Sequence, residues 1–431
     1  MTRPKVAVVG GGAAGALQAL HLKRAGIADV TLIERARAPG RGVAYSTARP
    51  EHLLNVPARR MSALADDPDH FTRWFEARAG GGEEDFAPRM LYGDYLAELL
   101  GEAGIATVRG EAVDLADGIL LADGGRIEAD SVILAPGNLK PATPPGIEPA
   151  ALGALWVDDP WAEGIADGLG EGDIVLLIGT GLTAVDSALT LNAVGFPGRI
   201  VALSRRGLAP RAHGPREPMV APREDLPPGC TAMLRRVRAR GEEIGWRSAV
   251  HELRGVTQAL WGAAGEAERR RFLRHLRPWW DVHRHKVAPA VGETIETMQS
   301  AAQLTVAAGK LVAAEADGDR ALVSFRARGS DEVETLRVAR IVNCTGPETN
   351  IVRSGEPLLY ALVAAGRIRP DPLKIGIDVD RDCRTLDADG AASHRLYAIG
   401  PLTRGTFWES VAVPDIRTQA ARVAARIAGS P

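Results

Sequence analysis

The sequence predicts an α/β chain of two doubly wound, parallel-sheet units, the second inserted in the first, with an added helical insertion. Three observations carry this. The chain opens on "VAVVGGGAAG", a β-branched run that meets a glycine-rich turn, and "IVLLIGTGLTAVD" repeats the plan at 174–186. Each half then passes through short strands and Gly turns into a last apolar strand, "SVILAPG" ending at Gly137 and "RIVNCTGP" reaching Gly346. A chain of 431 residues has room for two or three such units, each with its own core.

Composition narrows the classes. Lys and Arg total 52 against 54 Asp and Glu, a formal net charge of −2, so no overall basicity argues for nucleic acid. No apolar run approaches the roughly 18–20 residues that span a bilayer. The N-terminus "MTRPKVAVV" enters a strand at once, without the apolar core of a signal peptide, and a cytoplasmic location is expected. Cys230, Cys344 and Cys383 form no closely spaced pair, which excludes the usual zinc spacings and a redox pair of neighbouring cysteines; no metal site is expected.

The elements follow in order. Lys5–Val9 reads as a buried parallel strand, and Gly10, Gly12 and Gly15 have GxGxxG spacing ahead of the helical "ALQALHLKRAG". Gly10 allows the tight turn, Gly12 lets a pyrophosphate approach the backbone, and Gly15 lets helix and strand pack closely. The strand "DVTLIE" ends at Glu34, a carboxylate suited to a ribose diol. In the second unit Gly179, Gly181 and Ala184 give GxGxxA, and "GRIVALS" is followed by Arg205 and Arg206 where an acid would suit NAD. Guanidinium groups suit a ribose 2′-phosphate, which favours NADPH over NADH; a solvated basic turn is the plain alternative. Two such turns imply two dinucleotides, and the natural pairing is a nicotinamide that gives hydride to a flavin.

Three further stretches look functional. "GRGVAYSTARPEHLLNVPARRMS" is too rich in Gly, Pro and Asn for regular structure, and Asn55 suits the flavin N5/C4a region, unless it only makes a turn. Residues 210–300 read as helical, with Trp279, Trp280, His283, Arg284 and His285 able to stack on and orient a small electron-rich or anionic substrate; a structural role has equal standing. "VAVPDIRTQAARVAARIAG" reads as a helix with Pro414 in its first turn, whose positive end could stabilise a reduced flavin or simply close the fold.

Taken together, "GGGAAG", "GRGVAYS", "HLLNVPARRMS", "GTGLTAVD", "SRRGLAPR", "WWDVHRHKVAP", "VNCTGP" and "GPLTRGTFWESVAVPDIRTQA" resemble the bacterial FAD/NAD(P)-binding flavoproteins that include FAD-dependent urate hydroxylases and an aspartate N-monooxygenase. The resemblance implies two Rossmann-like domains: FAD on 1–165 and 335–431, NADPH on 166–334 with the helical insertion at about 210–300 inside it. It assigns cofactor contacts to Gly10, Gly12, Ala13, Ala14, Gly15, Glu34, Arg35, Arg41, Gly42, Asn55, Gly137, Gly179, Gly181, Leu182, Thr183, Ser204, Arg205, Arg206, Gly346, Gly400, Trp408 and Val413. Catalytic roles fall to Asn55, Trp280, His283 and Arg284. Pro401 stands where many flavoproteins carry an acid for the ribityl chain, and the Baeyer–Villiger fingerprint FxGxxxHxxxW is absent. The activity implied is FAD- and NADPH-dependent hydroxylation, with O2, of a small nitrogen-containing molecule such as an amine, amino acid or purine through a C4a-(hydro)peroxyflavin. The motifs alone reach hydride transfer, which leaves open a reductase passing electrons elsewhere and a nucleotide-sensing protein without turnover.

Overall fold

A computed structural model describes residues 3–26, 29–36, 38–116, 118–214 and 226–429. β1 (Lys5–Val9) enters the first glycine turn, α1 (Ala13–Arg24) leaves it, and β2 (Asp29–Glu34) returns parallel to β1 with Val9 opposite Ile33. Val6, Ala7 and Val8 are all buried, as a strand covered on both faces requires. The six-stranded sheet has the order Arg384–Leu386, Ala392–Ala398, Ser131–Leu134, β1, β2, Ala106–Arg109; only its first pair is antiparallel. Residues from near both ends of the chain thus complete one sheet, which is why their hydrophobic residues share a core that runs from Val6 to Ala424.

The second sheet has seven strands. Its parallel centre holds β3 (Ile174–Ile178), which leads through the second turn into α2 (Leu182–Ala193), and β4 (Arg199–Ser204). Arg340–Asn343 and then Trp156–Val157 lie parallel beyond β3. Leu304–Asp317 pairs parallel with β4 through its first five residues, then antiparallel with Arg320–Ala327 from Gly309 onward. One long strand therefore joins the central sheet to an antiparallel meander. The first half follows the same plan in a separate three-stranded sheet, Ala112–Asp114, Ile119–Leu121 and Arg126–Ile127, before Ser131–Leu134 returns to the main sheet.

The helical insertion is more broken than its periodicity suggests. Gly245, at φ 80°, separates Cys230–Ile244 from Trp246–Glu252, because the backbone leaves the helical region there. Glu266–Arg271 runs into a π-helical stretch, Phe272–Leu276, before α3 (Arg277–Arg284) starts with Pro278 in its first turn. Residues 215–220 and 221–225, within the expected insertion, lie outside the described residues. The last helix, α4 (Val413–Ile427), begins with Pro414 in its first turn, as expected. Among the described residues no helix is long and apolar enough to cross a membrane.

Candidate active site

The first turn is held by close backbone contacts. Gly10 has φ 101°, and a Cβ there would lie 2.3 Å from the Ala135 carbonyl oxygen; a Cβ on Gly15 would lie 1.8 Å from Gly10 O. The intervening Gly11, which motif spacing does not single out, donates its N–H to Glu34 Oε2 at 2.5 Å, and a Cβ would stand 2.8 Å from Glu34 Cβ. Ala36 N–H donates to the other carboxylate oxygen at 2.7 Å. Glu34 thus fixes the turn while each of its oxygens keeps a lone pair for a ribose hydroxyl. A Cβ on Gly12 would meet Gly42 Cα at 3.4 Å, and Gly40 N–H donates to Gly11 O, so the loop expected to be functional closes over the turn. Part of that loop is a short helix, Gly42–Tyr45, and another part a 3-10 turn at Ala58–Arg60.

The residues fit two dinucleotides. Gly12 and Gly181 are the N-caps of α1 and α2, neither has a capping side chain, and neither helix carries an acid in its first turn. Their first N–H groups, including those of Ala13, Ala14, Leu182 and Thr183, are left for an anion. A Cβ on Gly181 would meet nothing within 4 Å, which leaves room beside the α2 terminus. The buried Trp408 stacks on Trp261 with ring centroids 4.7 Å apart, and its indole N–H has no acceptor among the described residues. Gly400, at φ 76°, donates its N–H to Gln419 Oε1, and a Cβ there would press on Ala14 Cβ at 3.0 Å. Gly137 and Gly346 both have positive φ with open space where a side chain would be, at the ends of the two returning strands.

The basic residues expected at the cofactors divide. Arg205 is exposed and has no ion pair or hydrogen bond among the described residues. Arg206 donates to the carbonyls of His275 at 3.1 Å and Arg274 at 3.3 Å, within the π-helical stretch. It braces the insertion. Ser204 is committed locally, accepting from Gly207 N–H and bonding Thr180 Oγ1 at 2.8 Å. Arg35 pairs with Glu111 and Glu356, and Arg41 with Asp94.

The aromatic-basic stretch meets the C-terminal segment at one carboxylate. Glu409, buried and at φ 68°, accepts Trp280 Nε1–H at 2.7 Å and Arg284 Nε–H at 2.9 Å. Residues 280 and 284 are one helical turn apart on α3, so they reach the same partner. A non-glycine residue at that φ is held by its surroundings at a cost of roughly 1–3 kcal/mol. His283 takes no part in this pair: its Nδ1–H donates to Trp279 O at 2.7 Å and its ring packs edge-on to Trp246. His285 lies nearer, close enough to Glu409 for its charge to act, but burial dominates and lowers its pKa. Asp415, in the first turn of α4, is pushed up to about 6 by burial and by Glu409. Val413, the first residue of that helix, is buried. Asn55 is half-buried, its carbonyl accepting His213 Nε2–H at 3.0 Å.

A second cluster, not anticipated from the sequence, fastens the functional loop to α2. Arg89 donates to both carboxylate oxygens of buried Asp186, which also accepts Trp161 Nε1–H at 3.2 Å. His52, fully buried, places Nε2 3.1 Å from Asp186 O and 3.0 Å from Thr190 Oγ1, with Nδ1 3.0 Å from Thr47 Oγ1. Burial lowers its pKa, so the ring is neutral and Nε2–H donates to the carbonyl. Only the motif "HLLNVPA" hinted at His52, without a role. No group of three or more His, Cys, Asp or Glu among the described residues is gathered to hold a metal ion.

Comparison with known proteins agrees with this architecture. A family model described as FAD-NAD(P)-binding matches residues 7–139. No curated protein matches the chain. Among solved structures, the chain is similar to the reduced form of an ornithine hydroxylase from Pseudomonas aeruginosa, with 15% identity, 99% of each chain covered and a TM-score of 0.68. It is also similar to an L-lysine 6-monooxygenase from Pseudomonas syringae, at 17%, 99% of each chain and 0.69. A cadaverine monooxygenase of desferrioxamine biosynthesis from Erwinia amylovora gives 12%, 100% of this chain, 95% of that chain and 0.70. At these identities the likeness establishes the fold, one of two Rossmann-like units.

Proposed function

We propose that the chain is an FAD- and NADPH-dependent monooxygenase that hydroxylates a small nitrogen-containing molecule with O2. The carrying observation is the pair of uncapped helix N-termini behind two glycine turns, one in each parallel sheet, joined through the His52–Asp186–Arg89 cluster. FAD belongs to residues 1–165 and 335–431 and NADPH to 166–334. The likeness to amine and amino-acid N-monooxygenases over essentially the whole chain supports the oxygen step.

When bound, FAD supplies hydride acceptance and oxygen activation, which side chains cannot supply themselves. The protein's part is placement and charge. The α1 terminus and Glu34 would hold the phosphate and ribose of FAD. The α4 terminus, with Asp415 in its first turn, would set its partial positive charge beside the bound flavin ring. Glu409 locks the Trp280 ring and the Arg284 guanidinium into one wall, and the Trp261–Trp408 stack excludes water beside it. Asn55 presents an uncharged amide. His283 faces Trp246 instead, and its proposed role reduces to packing that end of α3.

A disulfide-exchanging reductase is disfavoured by the thiols. Burial pushes Cys344 and Cys383 up to about 12 and Cys230 up to about 11, so none offers a thiolate near neutral pH. The test is product analysis under 18O2 with amines, amino acids and purines. Label in an N-hydroxylated product supports the monooxygenase. NADPH consumption with an electron-accepting dye, and no label in any product, establishes the reductase in its place.

A further inference from the structure

A cavity of about 270 Å³ lies where the three-stranded sheet packs on the six-stranded one. That is just under the roughly 300 Å³ at which small-molecule pockets begin. Leu115 and Ile119 line it from the meander, and Val132 and Leu396 from two neighbouring parallel strands. Leu115, Ile119 and Leu396 are almost wholly buried, so the floor is apolar. Val132 stands near the start of Ser131–Leu134, whereas Leu134 pairs with Val9 just ahead of the first glycine turn. The cavity is thus at the amino end of these strands. Dinucleotides bind outside the carboxyl ends.

Arg367 and Arg395 complete the lining. Backbone carbonyls hold both: Arg367 Nη1–H donates to Leu115 O, and Arg395 donates Nε–H to Asp130 O at 2.9 Å and Nη2–H to Ala129 O at 2.8 Å. Neutral carbonyls orient a guanidinium without cancelling its charge, and neither side chain has a carboxylate partner among the described residues. Nearby acids are engaged elsewhere. Glu128 pairs with Lys5 Nζ, Asp130 accepts Lys5 N–H, and Asp114 accepts Leu115 N–H. Each guanidinium has five donors, so both keep several free. Their orientation is fixed in advance, which lowers the cost of ordering them on a ligand. Two held cations over an apolar floor select a molecule with the same division, an oxyanion head for the guanidinium forks and a short apolar body.

We propose that this cavity is a binding site for a small amphiphilic anion, a carboxylate or phosphate monoester on a short alkyl chain, separate from both dinucleotide turns. The site does not depend on the oxygen chemistry above.

The test is calorimetric titration of FAD-loaded protein with hexanoate and butyl phosphate, beside acetate and inorganic phosphate as bare head groups. Wild type binds at least one of the two amphiphiles, and the one preferred identifies the head group. It binds that amphiphile at least about tenfold more tightly than the bare head, because the alkyl chain leaves water. Arg367→Met weakens the binding at least about tenfold, and Arg367→Lys recovers part of it. Arg395→Met does the same; since Arg395 also braces residues 129–130, Arg367→Met decides if that variant folds poorly. FAD content, the flavin spectrum and the KM for NADPH stay unchanged. Wild type that binds neither amphiphile overturns the proposal, as does undiminished binding in folded Arg367→Met. Equal affinity for amphiphile and bare head also overturns it, reducing the cavity to a charged patch. So does displacement of FAD or NADPH by the ligand, which would put the anion at a dinucleotide turn.

Discussion

At Gly15 an added Cβ would lie 1.8 Å from the Gly10 carbonyl oxygen, whereas at Gly12 it would meet only Gly42 Cα at 3.4 Å. Two glycines of one motif are thus glycine for different reasons. Gly15→Ala is expected to disrupt the β1–α1 packing and yield little folded protein. Gly12→Ala should fold, with φ −67° and ψ −174° open to alanine, yet purify without yellow flavin because the methyl occupies the pyrophosphate path. Circular dichroism and flavin content separate the two outcomes, and full FAD occupancy in folded Gly12→Ala contradicts the assignment. Arg205 and Arg206, adjacent in sequence, should also part company. Arg205→Ala is expected to raise the KM for NADPH about tenfold and leave NADH use unchanged. Arg206→Ala, which frees the π-helical carbonyls, should weaken both cofactors alike; a selective NADPH loss there would reverse the roles. Spacing makes Gly10, Gly12 and Gly15 legible because their reasons are local. Gly11 and Arg206 were not legible as they stand, because their reasons lie in Glu34 and in residues 274–275.

Helices α3 and α4 meet through charges that periodicity cannot pair. The sequence places α4 and Pro414 and the helical character of the α3 stretch, but not its π-helical break, and nothing local announces that Trp280 and Arg284 converge on Glu409, more than a hundred residues later. Removing one partner leaves the other charge buried, so Arg284→Met should destabilise the fold by about 3 kcal/mol, read as a lower denaturation midpoint. A loss within error would mean Glu409 finds water instead. Asp415 tests the same junction by pH. Its folded pKa is raised from 3.8 to about 6, mainly by burial and then by Glu409, with Arg284 and Arg417 opposing; Arg254 lies 3.6 Å from its Oδ2. The stability it contributes is present below the unfolded pKa and lost as pH rises through the folded one. Asp415→Asn should therefore gain thermal stability relative to wild type between about pH 4 and pH 6.5, with no further change above. The opposite slope would show that Arg254 holds the carboxylate ionised.

Across the whole molecule, the repeated plan of turn, helix, meander and returning strand was readable because each half repeats it in sequence. What joins the halves was not, because Arg89, His52 and Asp186 become neighbours only once both sheets exist. Asp186→Asn leaves the Arg89 guanidinium without its counter-charge and is expected to cost roughly 3–5 kcal/mol of stability. The central claim is that the two turns serve two dinucleotides that exchange a hydride. Anaerobic mixing of FAD-loaded protein with one equivalent of NADPH tests it most directly. The account predicts that the flavin colour bleaches to the fully reduced form with matching loss of NADPH absorbance. FAD that binds but stays oxidised in the presence of saturating NADPH would contradict it.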